Sequence, residues 1–555
     1  MKRSPFFTML SIVLLVMLGG RFVAPALASG DDYYQKLKIS WVNMQKVFET
    51  LNSHYMEEID PYELVKAGIN GMLEELDPYT VFIEEEGNRR LQIITTGKYG
   101  GLGMEIGMRN KQITVITPMD HSPAQRAGIM AGDIVLKVDG ADVDGWNINQ
   151  VSKKLRGAIG GTVQLTIQRP GLEEPFTVSL TREEIVIEDV TYYGYIAPGI
   201  GYISLGGFTE KAPAEVRNAL LEMQKQGHLE KLILDLRGNP GGLLDAAVKI
   251  VNLFVPAGEV VVSTRGFREE EVVFKTTDQP LLPDTPLVVL VDGGSASASE
   301  IVTGALQDLD RAVIIGQPTF GKGLVQKVYN IDKNSHTKLK ITTAKYYIPS
   351  GRSIQKRDYA RDKKVLHIAE ADSLLHNDNH NVYYTRNKRK VLDKGGIHPD
   401  VIVEGDSLDS YMVDLFRQHT FFNFAVDYHS RHATWNRQVS DTLITAFQTF
   451  VDEQGLEYSE PGAPALKKLS RLSDKMNNEK ARVLIRELKN VLRVDPKKRF
   501  EKNKAIIQRY LMQELAEKYE GRKGRVAIAA LNDPVIETAK TYLNKDSYKK
   551  ILAIK

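Results

Sequence analysis

The chain of 555 residues contains no cysteine. That absence excludes a disulfide framework, a thiol nucleophile, a thiolate metal site and a lipoprotein cysteine. Net charge is nearly absent as well, with 73 lysines and arginines against 70 aspartates and glutamates. Without the first 28 residues, which hold Lys2, Arg3 and Arg21 and no acid, bases and acids balance at 70 each. No basic surplus points to a nucleic-acid partner. An apolar run that spans a bilayer is missing too: Met9 to Leu18 is too short, and Arg21 interrupts its extension. The segment reads as an export signal, with Met1-Lys2-Arg3 as the basic start and Ala26-Leu27-Ala28 as the small-residue cleavage site. Residues 1–28 are therefore expected to carry the chain to the periplasm or cell envelope, and to tether it to the membrane where the signal stays uncut. The lack of cysteine is compatible with an oxidising compartment.

What is present suffices for three or four domains, since 42% of the residues are hydrophobic. The chain is organised around Gly294-Ser295-Ala296-Ser297-Ala298-Ser299-Glu300, which follows the apolar run 286–291 and leads into Ile301-Val302-Thr303-Gly304-Ala305-Leu306. Strand, tight turn and helix is the natural reading. Such a turn leaves a serine hydroxyl at a helix N-terminus, where free N–H groups and the helix dipole favour developing negative charge. A second stretch, Gly316 to Gln326, sets Lys322 between Gly321 and Gly323, and a third turn, Asp235-Leu236-Arg237-Gly238-Asn239-Pro240-Gly241-Gly242, follows the apolar run 232–234. Each alone reads as caps and solvated turns.

Together, in this order and with this serine-to-lysine spacing, the three stretches resemble the carboxyl-terminal processing peptidases, or tail-specific proteases. These are serine endopeptidases with a Ser/Lys dyad and a built-in PDZ domain. The resemblance spans roughly residues 40 to 405 and leaves the last 150 or so without a counterpart. Tyr99-Gly100-Gly101-Leu102-Gly103-Met104-Glu105-Ile106 is similar to a PDZ carboxylate loop and its adjoining strand. Ser122 to Val135 resembles the interior signature of that domain, and Val151, Leu155 and Ile159 mark its groove helix. Successive N–H groups in a glycine loop hold a terminal carboxylate, and a free strand edge pairs with an extended peptide. Gly101, Leu102, Gly103 and Met104 are thus the implied tail-binding residues, with an apolar last residue expected in the groove.

Alternation of strands and helices over residues 186–405 argues for α/β layering with parallel strands. The resemblance implies a crotonase- or Clp-like core, so the fold class is multidomain α/β. The expected divisions are an N-terminal helical segment at 31–86, the PDZ domain at 97–185, the catalytic domain at 186–405 with a polar insertion at 356–392, and a helical extension at 406–555. Trp41, Met44, Val47, Phe48 and Leu51 read as one core-facing helical stripe, and the family's N-terminal helices also mediate homodimers. In the extension, Ala481, Leu484, Leu488, Val491 and Leu492 make one stripe, and Ile507, Leu511 and Leu515 another. That extension binds a partner, forms an oligomer interface or covers the junction between PDZ and protease.

A serine hydroxyl needs a base, and burial can lower a lysine pKa enough to provide one. No histidine turn between Tyr99 and Phe320 competes for the role. Local chemistry does not separate Ser295, Ser297 and Ser299; the family motif selects Ser297 as nucleophile and Lys322 as base. Gln326 matches the glutamine that orients the lysine amine. Ala298 N–H, next to the nucleophile, is one oxyanion donor, and Gly241 or Gly242 is the other. Arg237 reads equally as a brace of its turn or as a surface arginine. His376 to His380 could suggest a metal, but a solvated insertion is the plainer reading. No metal or cofactor is expected. The function implied is cleavage near protein C-termini through an acyl-enzyme. A catalytically latent adaptor that needs an activating partner and crotonase-like acyl-CoA chemistry are the alternatives.

Overall fold

The computed structural model describes residues 32–332, 337–359, 381–405, 408–456, 458, 462–492 and 496–553. The export signal and the three histidines between 367 and 380 lie outside these. The chain divides into two compact units, residues 1–82 and 83–555. The first holds helix α1 (32–54) and helix α2 (Pro61–Glu74), capped by the Asp60 carboxylate on Tyr62 and Glu63 N–H. The expected core-facing stripe is not buried: Trp41, Met44, Val47 and Leu51 are all exposed. One helix pair offers too little apolar surface to cover them.

The second unit begins with α3 (Glu85–Thr96) and the PDZ domain: β1 (Lys98–Gly101), β2 (Met104–Arg109), β3 (Gln112–Pro118), β4 (Ile134–Val138), α4 (Ile148–Leu155), β5 (Thr162–Gln168), β6 (Phe176–Thr181) and β7 (Glu183–Val186). The sheet runs β2-β3-β4-β5-β6, with β1 paired to β7 beside it. Ile113, Val115, Val151, Leu165 and Ile167 form its core. Ile159 lies four residues beyond the end of α4, which terminates at Leu155, so it is not on the groove helix.

The next region places β8 (Val190–Ala197), β9 (Ile200–Leu205), α5 (Ala212–Gln226), β10 (Lys231–Asp235), α6 (Leu244–Val251), β11 (Val260–Arg265), β12 (Val272–Lys275), β13 (Leu287–Val291), α7 (Ala298–Asp308), β14 (Val313–Gly316), β15 (Leu324–Asp332), β16 (Thr337–Tyr347) and β17 (Val401–Ile402) in order. Its main sheet runs β8-β9-β10-β13-β14-β17. The β9–β10, β10–β13, β13–β14 and β14–β17 pairs are parallel. Continuous apolar runs make these strands because both faces are covered. Leu232, Leu234, Leu287 and Val289 face α5, α6 and α7. Ile233, Val288, Leu290 and Ile315 face the other way. Strands β11, β12, β15 and β16 build a second sheet, in which β16 pairs with both β11 and β15.

What covers the second face comes from the far end of the chain. The remaining helices are α8 (Ser410–Arg417), α9 (Thr420–Arg431), α10 (Asp441–Glu453), α11 (Ala463–Lys475), α12 (Glu479–Leu492), α13 (Pro496–Leu531, kinked at Gly521), α14 (Pro534–Tyr542) and α15 (Lys545–Ile551). Val535, Ile536, Ala539, Leu543 and Leu552 pack on the sheet beside Ile233 and Val288. Tyr548 Oη accepts the Leu287 N–H at 3.1 Å and donates to Arg311 O at 2.8 Å. Helices α8, α9, α10 and α13 hold a separate core around Phe421, Phe447, Ile507, Leu511 and Leu515. The same module touches the PDZ domain. Lys518 Nζ stands 4.0 Å over the Phe422 ring and 3.4 Å from Ile116 O, and Val426 packs against Gly132. Of the three roles open to the extension, covering the PDZ–protease junction matches these contacts.

Candidate active site

The serine turn and the glycine turn are joined by a dense set of hydrogen bonds. Beyond β13, the Asp292 carboxylate accepts the N–H groups of Gly294 (2.9 Å), Ser295 (3.1 Å) and, across the gap, Gly238 (2.8 Å). Ser295 Oγ donates to Leu236 O at 2.8 Å. Ala296 N–H and Ser299 Oγ both donate to Asn239 O, at 3.0 and 2.9 Å. The three serines that local sequence could not separate are therefore distinct. Ser295 and Ser299 are fully buried with hydroxyls committed to backbone carbonyls, while Ser297 is half-buried.

Ser297 has φ 55° and ψ −112°, a conformation that costs on the order of 1–3 kcal/mol for a residue with a side chain. It persists because the flanking bonds and α7, buried along its whole length, over-determine it. As the N-cap of α7 it stands where the helix dipole presents positive charge, while the Ser299 and Glu300 N–H groups donate to Ala296 O and Ser297 O. Gly241, φ +95°, lies against it: a methyl group on its Cα would fall 2.6 Å from Ala296 O and 2.8 Å from the Ala298 nitrogen. Only glycine permits that approach. The Gly241 N–H donates to Asn239 Oδ1 at 2.9 Å, and Gly242 bridges to Phe208.

Two side chains tie the serine turn to the lysine turn. Glu300, fully buried, accepts from Ser297 N–H (2.8 Å) and Lys322 N–H (2.9 Å) through Oε2. Its Oε1 accepts from Thr319 Oγ1 (2.6 Å) and Gly321 N–H (2.7 Å). Burial pushes the Glu300 carboxyl above its usual range, against the pull of these four bonds. Tyr346, on β16 and buried, sets its hydroxyl within reach of both the Ser297 carbonyl oxygen (3.2 Å) and that of Lys322. Ser297 and Lys322 are thus bound at their N–H groups by one carboxylate, and their carbonyls share the single proton of one hydroxyl. Sequence reasoning missed both residues. Glu300 had a signal, the Ser-x-x-Glu spacing of a capping box. Tyr346, within an alternating strand, had none.

Lys322 and Gln326 are half-buried, and Gln326 Nε2 donates to Thr342 Oγ1 across the β15–β16 ladder at 3.4 Å. Arg237 is a brace and not a surface arginine. It grips Asp235 through Nε and Nη2 and reaches Asp533, the N-cap of α14, at 2.7 Å. Burial disfavours its charge, but Asp235 and Asp533 outweigh that and hold its pKa well above normal. A cavity of about 700 Å³ opens beside the glycine turn, lined by Leu243, Leu244, Phe274, Val325 and Ala344, with Glu269 and Lys327 paired at 2.6 Å. In the PDZ domain Leu102 is buried, and the carbonyls of Leu102 and Gly103 accept from Ala124 and Met119 N–H. Gly103 has φ +69°, and Met104 opens β2, which pairs with β3 on one side and forms the end of its sheet. Among the described residues, no group of three or more His, Asp or Glu side chains converges to hold a metal. No helix of the described residues is long and apolar enough to cross a membrane.

Comparison with known proteins covers the chain in four parts. Residues 199–365 match the family described as "Peptidase family S41", and 114–169 match the PDZ domain. Residues 25–87 match "Activating protease CtpB N-terminal domain", and 411–543 match "Probable PDZ-protease, C-terminal helical domain". The last 150 residues therefore do have a counterpart. A "Carboxy-terminal-processing protease" of Bartonella bacilliformis is 41% identical over 313 residues, 56% of this chain and 71% of that protein. A "Probable CtpA-like serine protease" of Staphylococcus aureus (strain N315) is 38% identical over 324 residues, 58% of this chain and 64% of that one. Among solved structures, a photosystem II D1 C-terminal processing protease is 28% identical, covering 66% of this chain and 87% of its own, with a TM-score of 0.37.

Proposed function

Because the chain belongs to peptidase family S41 and is a serine protease with a PDZ domain, we propose that Ser297 is its nucleophile and Lys322 its general base, acting near protein C-termini. The observation that carries this reading is the double tie between the two residues, through Glu300 at their N–H groups and Tyr346 at their carbonyls. In the mechanism, neutral Lys322 takes the Ser297 hydroxyl proton as Oγ attacks the peptide carbonyl. Collapse of the tetrahedral intermediate breaks the C–N bond, and the lysine proton passes to the leaving amine. Water, deprotonated by Lys322, then attacks the Ser297 ester; the C–Oγ bond breaks, the lysine returns its proton to Oγ, and the new carboxyl end is freed. Gln326 orients the lysine amine from β15.

Ala298 N–H is one oxyanion donor in this reading. With the Gly241 N–H given to Asn239 Oδ1, Gly242 supplies the second. The cavity at Leu243 and Val325, whose lining also carries Glu210, Asp245 and Lys249, accepts a substrate side chain beside the scissile bond. The PDZ unit takes the substrate's terminal carboxylate at Gly101, Leu102, Gly103 and Met104 and pairs its apolar tail with β2. Protein or peptide tails are the substrates, and no cofactor takes part. Export by residues 1–28 delivers the enzyme to the cell envelope. The apolar side chains exposed along α1 favour a homodimer through the N-terminal helices. Sedimentation of wild type against Trp41→Glu reads that association directly.

A second reading, a latent enzyme that a partner activates, draws on one observation. An oxyanion hole that used Gly241 would form only once Asn239 released its N–H. The experiment that separates the readings compares wild type, Ser297→Ala and Lys322→Ala on an unstructured polypeptide with an apolar tail, free or amidated. Cleavage that needs the free tail and vanishes in both variants, with circular dichroism unchanged, supports the proposal. Tail binding without cleavage by the wild type supports latency.

A further inference from the structure

Helices α11 and α12 are joined by the three residues Met476-Asn477-Asn478 and pack on each other as a hairpin. None of their residues belongs to any of the four hydrophobic cores. Leu466 and Ser473 are the buried positions of α11, and α12 has none. Yet both helices carry an apolar stripe at helical spacing. Leu469, Leu472 and Met476 are 47%, 47% and 72% exposed, and Leu484, Leu488 and Val491 are 63%, 43% and 80% exposed. Six large apolar side chains in two adjoining rows form a patch that soluble surfaces rarely leave bare.

Charge decides what covers it. Residues 463–492 hold eight lysines and arginines against three aspartates and glutamates, a surplus of five in a chain whose whole net charge is +3. Two of the three acids, Asp474 and Glu479, are engaged by Arg482 at 3.0 and 2.9 Å. Lys468, Lys475 and Lys480 stand one helical turn from Leu472 or Leu484, so ammonium groups border the apolar rows. A second copy of the hairpin would bring two such surpluses together. An anionic lipid surface complements both features: aliphatic chains enter between the acyl chains while the lysines reach the headgroups.

We propose that the α11–α12 hairpin lies on the surface of an anionic phospholipid bilayer and positions the enzyme against it. The contact is peripheral, since neither helix can span a membrane. The hairpin shares no residue with the candidate active site, so hydrolysis of a soluble peptide should not depend on it.

The test is flotation of the full chain lacking residues 1–28 with vesicles of phosphatidylcholine alone or mixed with phosphatidylglycerol. Two variants accompany it: Leu484→Glu with Val491→Glu, and Lys468→Glu with Lys475→Glu and Lys480→Glu. The wild type should bind the anionic vesicles at least about tenfold more tightly than neutral ones, less so as salt rises. Each variant should lose at least about tenfold in that binding and keep its circular dichroism and peptide hydrolysis. Failure of the wild type to float, or flotation equal in all three proteins, overturns the proposal. So does a sedimentation change from dimer to monomer in the leucine variant with vesicle binding intact, which would give the patch to a second copy.

Discussion

Helices α7 and α12 have 11 and 14 residues; every residue of the first is buried and none of the second. The contrast is one of partners. In α7 even the polar residues are satisfied: Thr303 donates to Ser299 O, Gln307 to His398 O, and Asp308 meets Arg352 with both side chains out of solvent. Buried polar groups matched in this way fix one arrangement, because any other leaves them unpaired. The Ser297 turn sits at the start of this helix and inherits its rigidity. In α12 the apolar stripe has no cover among the described residues, although Arg482 pairs with Asp474 and Glu479, as expected of a surface whose partner is not part of the chain. In the readings proposed above, the first kind of helix sets the position of the chemistry and the second the location of the enzyme.

The sharpest way to break the comparison is to disturb the packing around α7. Gly241→Ala adds a methyl group that collides with Ala296 O and the Ala298 nitrogen at a positive φ. It should cost about 2–4 kcal/mol in stability and reduce hydrolysis by at least about 100-fold, read by thermal melts and steady-state kinetics. Glu300→Gln comes next. The amide group replaces one acceptor with a donor facing N–H groups, so kcat should fall by about tenfold or more with KM little changed. A fall in KM-dependent binding alone would mean that Glu300 does not position the dyad.

Lys518 offers a smaller and pH-dependent effect at the PDZ contact. Burial lowers its pKa to about 8, against the charges of Glu517 and Glu514 and with those of Arg525 and Arg109. The folded value lies below the ordinary 10.5, so between about 8 and 10.5 the unfolded chain binds more protons and stability rises with pH. Below about 8 the partly desolvated cation is a constant cost. Lys518→Met should therefore raise stability at pH 7 by at most about 3 kcal/mol, read as a higher melting temperature, and the gain should shrink above pH 8. The smallest effect belongs to α12: Leu484→Glu should leave stability within about 0.5 kcal/mol. A larger loss would mean the stripe is covered within the protein.

The sequence carried the three turns, the alternating strands and helices and the PDZ signatures, because each is written in local glycine placement and periodicity. It named Ser297 through a motif, whereas the structure distinguishes it from Ser295 and Ser299 by burial and by where their hydroxyls point. What was not legible is non-local. Nothing in residues 534–552 announces that they cover the second face of a sheet that begins 344 residues earlier, at Val190. An amphipathic pattern also reads the same whether its stripe is buried, as at Ile507 and Leu511, or bare, as at Leu484 and Val491. Tyr346 joins the lysine turn to the serine turn only through tertiary approach.

The most direct measurement is covalent labelling of the full chain with a serine-directed fluorophosphonate, followed by peptide mapping. The account predicts one adduct, on Ser297, that disappears in Ser297→Ala and in Lys322→Ala while both variants keep the wild-type circular dichroism. An adduct on Ser295 or Ser299, or labelling of Ser297 undiminished in Lys322→Ala, would contradict it.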